Sequence, residues 1–478
     1  MMRICVMLLL TAALAGCSYP TRNQPMTAAG EQHPYTWPTM NAAAPDDMPD
    51  TLVVVTASGG GTRATALAMS VFDTLGHAKL PSGKSLADEV DVVSSVSGGS
   101  VAAAYFALHG AAGMPALEHD FVRTDGIGAL LAAGLNPIGL AALATPSKER
   151  IDLLIDRLDG TLFHGATFAD LAAAQRRPYL ILNAGDMVEG VPFPFTQYTL
   201  DLLCSDLKQM KMSTAVAASA AFPVALSPVT LTNYSPCTAV KRPGWIDEGL
   251  ATQWQINPTR LDQARVADAY FTGRKKYIHL LDGGISDNLG VAEPFRLLTN
   301  NDVSPLFLQQ IGSGRIKRIV FVMVNARSFP VSALDQQKAT PSELSMLLAT
   351  IDSTIDRATL GTSERVRKLL VEELGLDAKE AADLGLPQVA ANLNAAADNT
   401  TFIDVDFDAI PLASCRQRFH DIPTSWTLSG PQIDGIEAMG EALLGADPGF
   451  QPLLQSLGGH MERPLVSIDQ ACQVYPAM

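Results

Sequence analysis

Two β-branched runs, each closing on glycines and opening into a helical pattern, constrain this chain more than any other feature. Residues 51–57 (TLVVVTA) lead through Ser58-Gly59-Gly60-Gly61 into a helical pattern over 62–75. Residues 90–96 (VDVVSSV) lead through Ser97-Gly98-Gly99 into another over 100–108. Strands that are apolar almost throughout are buried on both faces, and helices alternating with them imply a sheet covered on both sides. Further strand candidates are 179–183, 277–281, 319–324 and 402–407, with helix-like stretches between them. The expected fold class is α/β, a central parallel or mixed sheet with helices on both faces. A long, charge-bearing helical stretch at about 342–397 reads as an insertion before the sheet resumes. No Gly/Ser linker follows Asp50, so 51–460 is expected to be one domain, with 461–478 a C-terminal tail.

The N-terminus reads as a processing segment. Residues 1–16 carry Arg3 and then an apolar run over 6–15, too short to span a bilayer and built like a secretory signal. Leu14-Ala15-Gly16-Cys17 resembles a bacterial lipobox, which implies cleavage before Cys17 and a lipid on that cysteine. Ser18, rather than Asp, next to it implies the outer membrane of a bacterial cell envelope. Residues 18–50 are rich in Pro, Thr, Asn and Gln without periodicity, so 17–50 is expected to be a flexible tether.

Export also frames the cysteines. Cys5 leaves with the signal and Cys17 is lipidated, so Cys204, Cys237, Cys415 and Cys472 remain. An even number in an oxidising compartment suggests two disulfides, with three possible connectivities. Short loops close most readily, which favours Cys204–Cys237 and Cys415–Cys472. No C-x-x-C pair and no zinc-spaced His/Cys cluster occurs, so neither metal nor cofactor is expected. Lys+Arg 34 against Asp+Glu 49 gives a net charge of −15, which repels phosphate backbones and argues against nucleic acid as a partner.

Three loops carry the chemistry. Gly59, Gly60 and Gly61 open a helix, where backbone N–H groups and the positive end of the dipole welcome an anion or a developing oxyanion. A relaxed dinucleotide fingerprint also fits this loop, but the next strand ends in serines rather than the acid that would bind a ribose. Ser95-Val96-Ser97-Gly98-Gly99 resembles the G-x-S-x-G nucleophile elbow, with Ser95 replacing the first glycine; a small-residue helix start capped by Ser97 is the alternative. Asp282-Gly283-Gly284 follows an apolar run and, alone, is an ordinary turn.

In this order the three loops resemble the patatin-like phospholipase family. Ala217-Ala218-Ser219-Ala220-Ala221-Phe222-Pro223 resembles that family's A-S-x-A-x-P block, and 282–288 (DGGISDN) its extended D-G-G motif. The likeness is close over 52–293, and the Arg63 placement is nearest to the cytosolic phospholipase branch. The resemblance implies a patatin-like, modified α/β-hydrolase-type fold and a Ser–Asp dyad without histidine. Ser97 would be the nucleophile and Asp282 the general base. The amides of Gly60 and Gly61 would form the oxyanion hole, with Gly59 beside them and Arg63 near the ester's phosphate. Phospholipid or a related lipid ester is the implied substrate, and the membrane is met through the lipid anchor.

Two histidines keep a Ser-His-Asp triad open. His279 lies three residues before Asp282, on the opposite face of a strand, and His420 reads as a loop residue. The expectation is thus a lipid-anchored serine acyl hydrolase. The alternatives are a general carboxylesterase with a triad and a non-catalytic lipid-binding lipoprotein. The uncharged stretch 126–147 reads as a pair of short buried helices, or as a lid opening at a lipid surface.

Overall fold

The computed structural model describes residues 21–26, 35–43, 48, 50–135, 148–299, 305–330 and 333–476. The elements that frame the site are, in order, β1 (Thr51–Ala57), α1 (Gly61–His77), β2 (Val92–Val96), α2 (Gly98–His109), α3 (Gly126–Leu135), α4 (Arg150–Leu158), β3 (Tyr179–Asp186), β4 (Pro192–Pro194) and α5 (Met212–Ser219). They continue as β5 (Val229–Thr232), β6 (Tyr277–Asp282), β7 (Arg318–Asn325), α6 (Glu343–Asp383), α7 (Pro387–Asp398), β8 (Thr400–Asp406), α8 (Gly430–Ala446) and α9 (Ile468–Val474).

The strands form one eight-stranded mixed sheet in the order β8-β7-β1-β2-β3-β6-β5, with β4 pairing β3. Strands β8, β7, β1, β2 and β3 run parallel. Strands β4 and β6 run antiparallel to β3, and β5 antiparallel to β6. Every residue of β1, β2 and β3 is buried, which explains their unbroken apolar character: helices cover both faces. In β6 buried residues alternate with more exposed ones, so one face of that strand is less covered.

Succession turns around at β1. The chain proceeds to β2 and β3 on one side, and later to β7 and β8 on the other. Open α/β sheets leave a crevice at the carboxyl ends of strands at such a point. The stretch read as an insertion is α6 and α7, the crossover that two adjacent parallel strands, β7 and β8, require.

Three expectations need correction. Residues 17–50 are not a flexible tether over their described parts. Gln24–Pro25 pairs with Ser205–Asp206, Asn23 is buried, and Tyr35, Trp37 and Met40 enter the core. Tyr35 Oη accepts from Leu180 N (2.7 Å), and Trp37 stacks on Phe307 with centroids 4.3 Å apart. Nor is 461–478 a tail. His460–Met461 pairs with Ala78–Lys79, and α9 packs on α8 with Cys472 buried. Finally, α3 is not simply a buried helix, since Ile127 and Leu131 are exposed; residues 136–147 of that stretch lie outside the described residues.

Candidate active site

The residue after β2 is forced into a sharp turn. Ser97 has φ 51° and ψ −122°, a left-handed geometry that costs a non-glycine residue about 1–3 kcal/mol and clusters at functional sites. What holds it there is close packing between the starts of α1 and α2. A Cβ on Gly98 would sit 2.0 Å from Gly61 O, so only glycine lets the two helix starts meet. Ser97 N donates to Ser219 Oγ (2.9 Å), and Ser219 Oγ donates to Asn183 O (2.6 Å) on β3. Ser219, from the A-S-x-A-x-P-like block, thus pins the elbow to the sheet. The sequence flagged its motif but not this role.

Asp282 reaches Ser97 from an unexpected direction. The strands that carry the two are not neighbours, because β3 lies between them. Val96 pairs with Asn183 on β3, and Ala184, the next residue, pairs with Asp282 on antiparallel β6. Ser97, one step past Val96, therefore stands level with Asp282 across two strand spacings, roughly 10 Å of backbone. The side chains close that gap. Ser97 Oγ donates to Asp282 Oδ2 at 2.7 Å, and Gly284 N donates to Oδ1 at 2.9 Å. The backbone beneath is fixed by Asp282 N to Ala221 O and Gly283 N to Ser219 O, each 3.0 Å.

Both side chains are nearly out of solvent, at 6% and 5% exposure. Burial pushes the Asp282 carboxyl up to about 6, against the opposing pull of its bonds from Ser97 and Gly284 N–H. Desolvation of this kind turns an ordinary carboxylate into a stronger base, one that is ionised at neutral pH.

The glycine loop divides its labour. Gly59 N is spent on Asn288 O (3.1 Å), which removes it as an oxyanion donor. Its lack of a side chain matters instead, since a Cβ there would lie 3.2 Å from Ser97 Cβ and 2.5 Å from Asn288 Oδ1. Thr62 N is bound to Ser425 O. Gly60 N and Gly61 N have no acceptor among the described residues, and they stand at the positive end of the seventeen-residue helix α1.

Arg63 differs from expectation. Its guanidinium borders the cavity, but Nε donates to Ala326 O (2.7 Å), Nη1 to Ile422 O (2.7 Å) and Nη2 to Thr424 Oγ1 (3.0 Å). It ties together two loops of the wall rather than projecting freely toward an ester's phosphate. Burial lowers its pKa to about 10, opposed by Asp356 and Asp352, so it stays cationic.

Neither histidine meets the serine. His279 Nδ1 shares a 2.9 Å bond with Thr230 Oγ1, on the face of β6 opposite Asp282. His420 Nε2 pairs with Asp408 Oδ1 at 2.9 Å. The four cysteines are joined as Cys204–Cys237 and Cys415–Cys472. Among the described residues no group of His, Cys, Asp and Glu could hold a metal ion, and no helix is long and apolar enough to cross a membrane. Cys17 lies outside the described residues.

Two cavities meet at the pair. One, about 510 Å³, has a mixed wall in which the charged Arg63, Arg327, Asp352 and Asp356 stand beside Phe222, Phe329 and Ile355. The other, about 600 Å³, is walled by Leu130, Leu153, Phe222, Leu226, Leu348 and Trp426. Ser97, Asp282, Phe222, Asp352 and Thr424 border both. Helix α6, expected from the sequence as an insertion, forms a wall of both cavities. Leu348, Asp352 and Ile355–Asp356 recur at helical spacing on one face, the signal that could have revealed it.

The arrangement is a buried serine hydroxyl bonded to a desolvated carboxylate, two glycine amides without an acceptor among the described residues, and a cleft with an apolar and a charged arm. None of the curated proteins compared with the chain matches it. Residues 55–295, which include the glycine loop, Ser97, Ser219 and Asp282, match the family model for patatin-like phospholipase. With half of its length matched, and with a mixed α/β sheet carrying these loops, the chain belongs to the patatin-like phospholipase family, hydrolases that act on lipid esters.

Proposed function

We propose that this protein is a lipid-anchored serine acyl hydrolase of the bacterial envelope, cleaving phospholipids or related lipid esters with a Ser97–Asp282 dyad. The observation that carries the reading is the 2.7 Å bond from Ser97 Oγ to a carboxylate raised to about 6. Ser97 Oγ attacks the ester carbonyl carbon while Asp282 takes its proton, and the carbonyl electron pair moves onto oxygen. The amides of Gly60 and Gly61 stabilise that oxyanion. Collapse expels the alcohol, which receives the proton from Asp282 and leaves an acyl–Ser97 ester. Water, deprotonated by Asp282, attacks the acyl carbon and releases the fatty acid with Ser97 restored.

The two arms of the cleft give the substrate an orientation. The apolar cavity suits an acyl chain, whose burial contributes about 0.8 kcal/mol per CH₂. The charged cavity suits the leaving alcohol with its polar head. The triad alternative gains nothing from the geometry, since His279 and His420 are engaged elsewhere. Anchoring through Cys17 rests on the lipobox-like residues and places the reaction at a membrane. The test is fatty-acid release from a defined phospholipid mixture by wild type and Ser97→Ala, followed by mass spectrometry. Release by wild type alone supports the reading; equal release by both refutes it.

A further inference from the structure

The short segment behind the anchor is docked, and its docking site adjoins the apolar cavity. Arg22 Nη1 donates to Asp152 Oδ1 at 2.6 Å, and Nη2 lies 3.5 Å from Glu149, with the arginine side chain only 9% exposed. Asn23 Nδ2 donates to Ser205 Oγ and Thr232 O, and its Oδ1 accepts from Thr232 N, each at 2.9 Å. Tyr234 Oη donates to Asn23 O at 2.9 Å. A nearly buried guanidinium held by two carboxylates, next to an asparagine bonded to the backbone through both ends of its side-chain amide, makes this a fixed attachment rather than a passing contact.

Glu149 caps α4, and Asp152 lies in its first turn. The same turn supplies Arg150 and Leu153 to the wall of the apolar cavity. Helix α3 packs on α4 and supplies Ile127, Leu130 and Leu131 to that wall. Ile127 at 42% and Leu131 at 54% exposure form an apolar rim, beside the exposed Arg150. Cys17 is four residues before Thr21, and four extended residues reach at most about 14 Å.

We infer that the docked residues 22–25 act as a spacer that holds the α3–α4 rim against the bilayer carrying the Cys17 lipid. A substrate acyl chain then passes from the membrane into the apolar cavity without crossing water. The inference rests on the anchoring reading given above. A flexible tether would leave the mouth of the cavity free to face away from the surface. A short stub fixed beside the mouth does not. The rim matches this partner in chemistry, with apolar side chains for the acyl region and Arg150 for lipid phosphates.

The test inserts a twenty-residue Gly/Ser segment between Ser18 and Tyr19 in the full-length protein, reconstituted in phosphatidylethanolamine/phosphatidylglycerol vesicles. The insertion touches no residue of the site or of the docked stub. Effective concentration falls roughly as the −3/2 power of linker length, so lengthening the stub lowers hydrolysis of vesicle phospholipid roughly tenfold. Flotation with the vesicles and turnover of a short soluble ester stay at the wild-type level. Unchanged vesicle hydrolysis by a variant that still floats overturns the orientation while leaving the anchor intact. Absence of lipid at Cys17 by intact mass instead overturns the anchoring reading, and the orientation falls with it. An environment-sensitive dye on Leu131→Cys gives a second readout: its emission shifts to the blue on vesicle binding, and no shift also overturns the orientation.

Discussion

Asp282→Asn separates the proposed chemistry of the pair from its structure, because the same burial that raises the Asp282 carboxyl also makes it a burden on the fold. The carboxyl is raised from 3.8 to about 6 by desolvation. An acid whose folded pKa is raised binds protons more tightly when folded, so stability is lost as pH climbs from about 4 to about 6 and stays lost above. Two pKa units correspond to about 3 kcal/mol, an order-of-magnitude ceiling on that penalty. Asparagine cannot ionise. It can also keep both contacts, with Oδ1 accepting from Gly284 N and Nδ2 donating to a Ser97 hydroxyl that now serves as acceptor. The expected outcome is a variant with turnover abolished but with higher stability, its advantage near zero at pH 4 and largest above pH 6. Paired urea titrations across this range, with fatty-acid release measured at pH 7.5, check both halves. A stability difference independent of pH would refute the desolvated carboxylate, and retained turnover would refute its role as base. For wild type the sign is opposite in activity: kcat/KM rises with pH through about 6 as Asp282 ionises.

Other perturbations follow from the same geometry. Gly98→Ala drives a methyl to within 2.0 Å of Gly61 O, so the helix starts must separate; a loss above about 4 kcal/mol or no soluble protein is expected on denaturation. Arg63→Lys leaves the acceptors at Ala326, Ile422 and Thr424 without the guanidinium fork, at about 1–3 kcal/mol for each group left unsatisfied, and lowers stability with little change in KM. A raised KM for phospholipid at unchanged stability would put Arg63 on the phosphate instead. The double variant Cys415→Ser, Cys472→Ser loses about 2–4 kcal/mol and exposes α9 to proteolysis from the C-terminus, read by mass spectrometry of the clipped chain.

Much of this was legible because it is local. The β1 and β2 runs announce buried parallel strands by their apolar continuity, and the glycines after them announce the tight turns into α1 and α2. Asp282 could be named from its motif but not placed. Whether β6 runs parallel or antiparallel depends on pairing with β3, a long-range choice that six alternating residues do not encode. Tyr35 and Trp37 were invisible for a related reason. Each buries as a single anchor from an aperiodic, proline-rich stretch, and pattern reading sees only repeats. Gly59 shows a finer limit: a glycine needed for space beside Ser97 looks the same in sequence as one needed for its N–H. The family resemblance sets Arg63 near an ester's phosphate, yet Ala326 O, Ile422 O and Thr424 Oγ1 from remote loops satisfy its guanidinium, and no local pattern announces those partners. The α6 wall is hard to see in sequence because its cavity-facing residues mix Leu with Asp, which blurs an amphipathic stripe.

In the proposed reaction one serine, activated by one carboxylate and no imidazole, performs the acyl transfer. Its most direct measurement is the rate and site of fluorophosphonate adduct formation, mapped by peptide mass spectrometry in wild type, Ser97→Ala, His279→Ala and His420→Ala. A single adduct on Ser97 is expected, absent from Ser97→Ala and formed at near wild-type rate per folded molecule in both histidine variants. An adduct on another residue, or its loss in a folded histidine variant, would contradict the dyad.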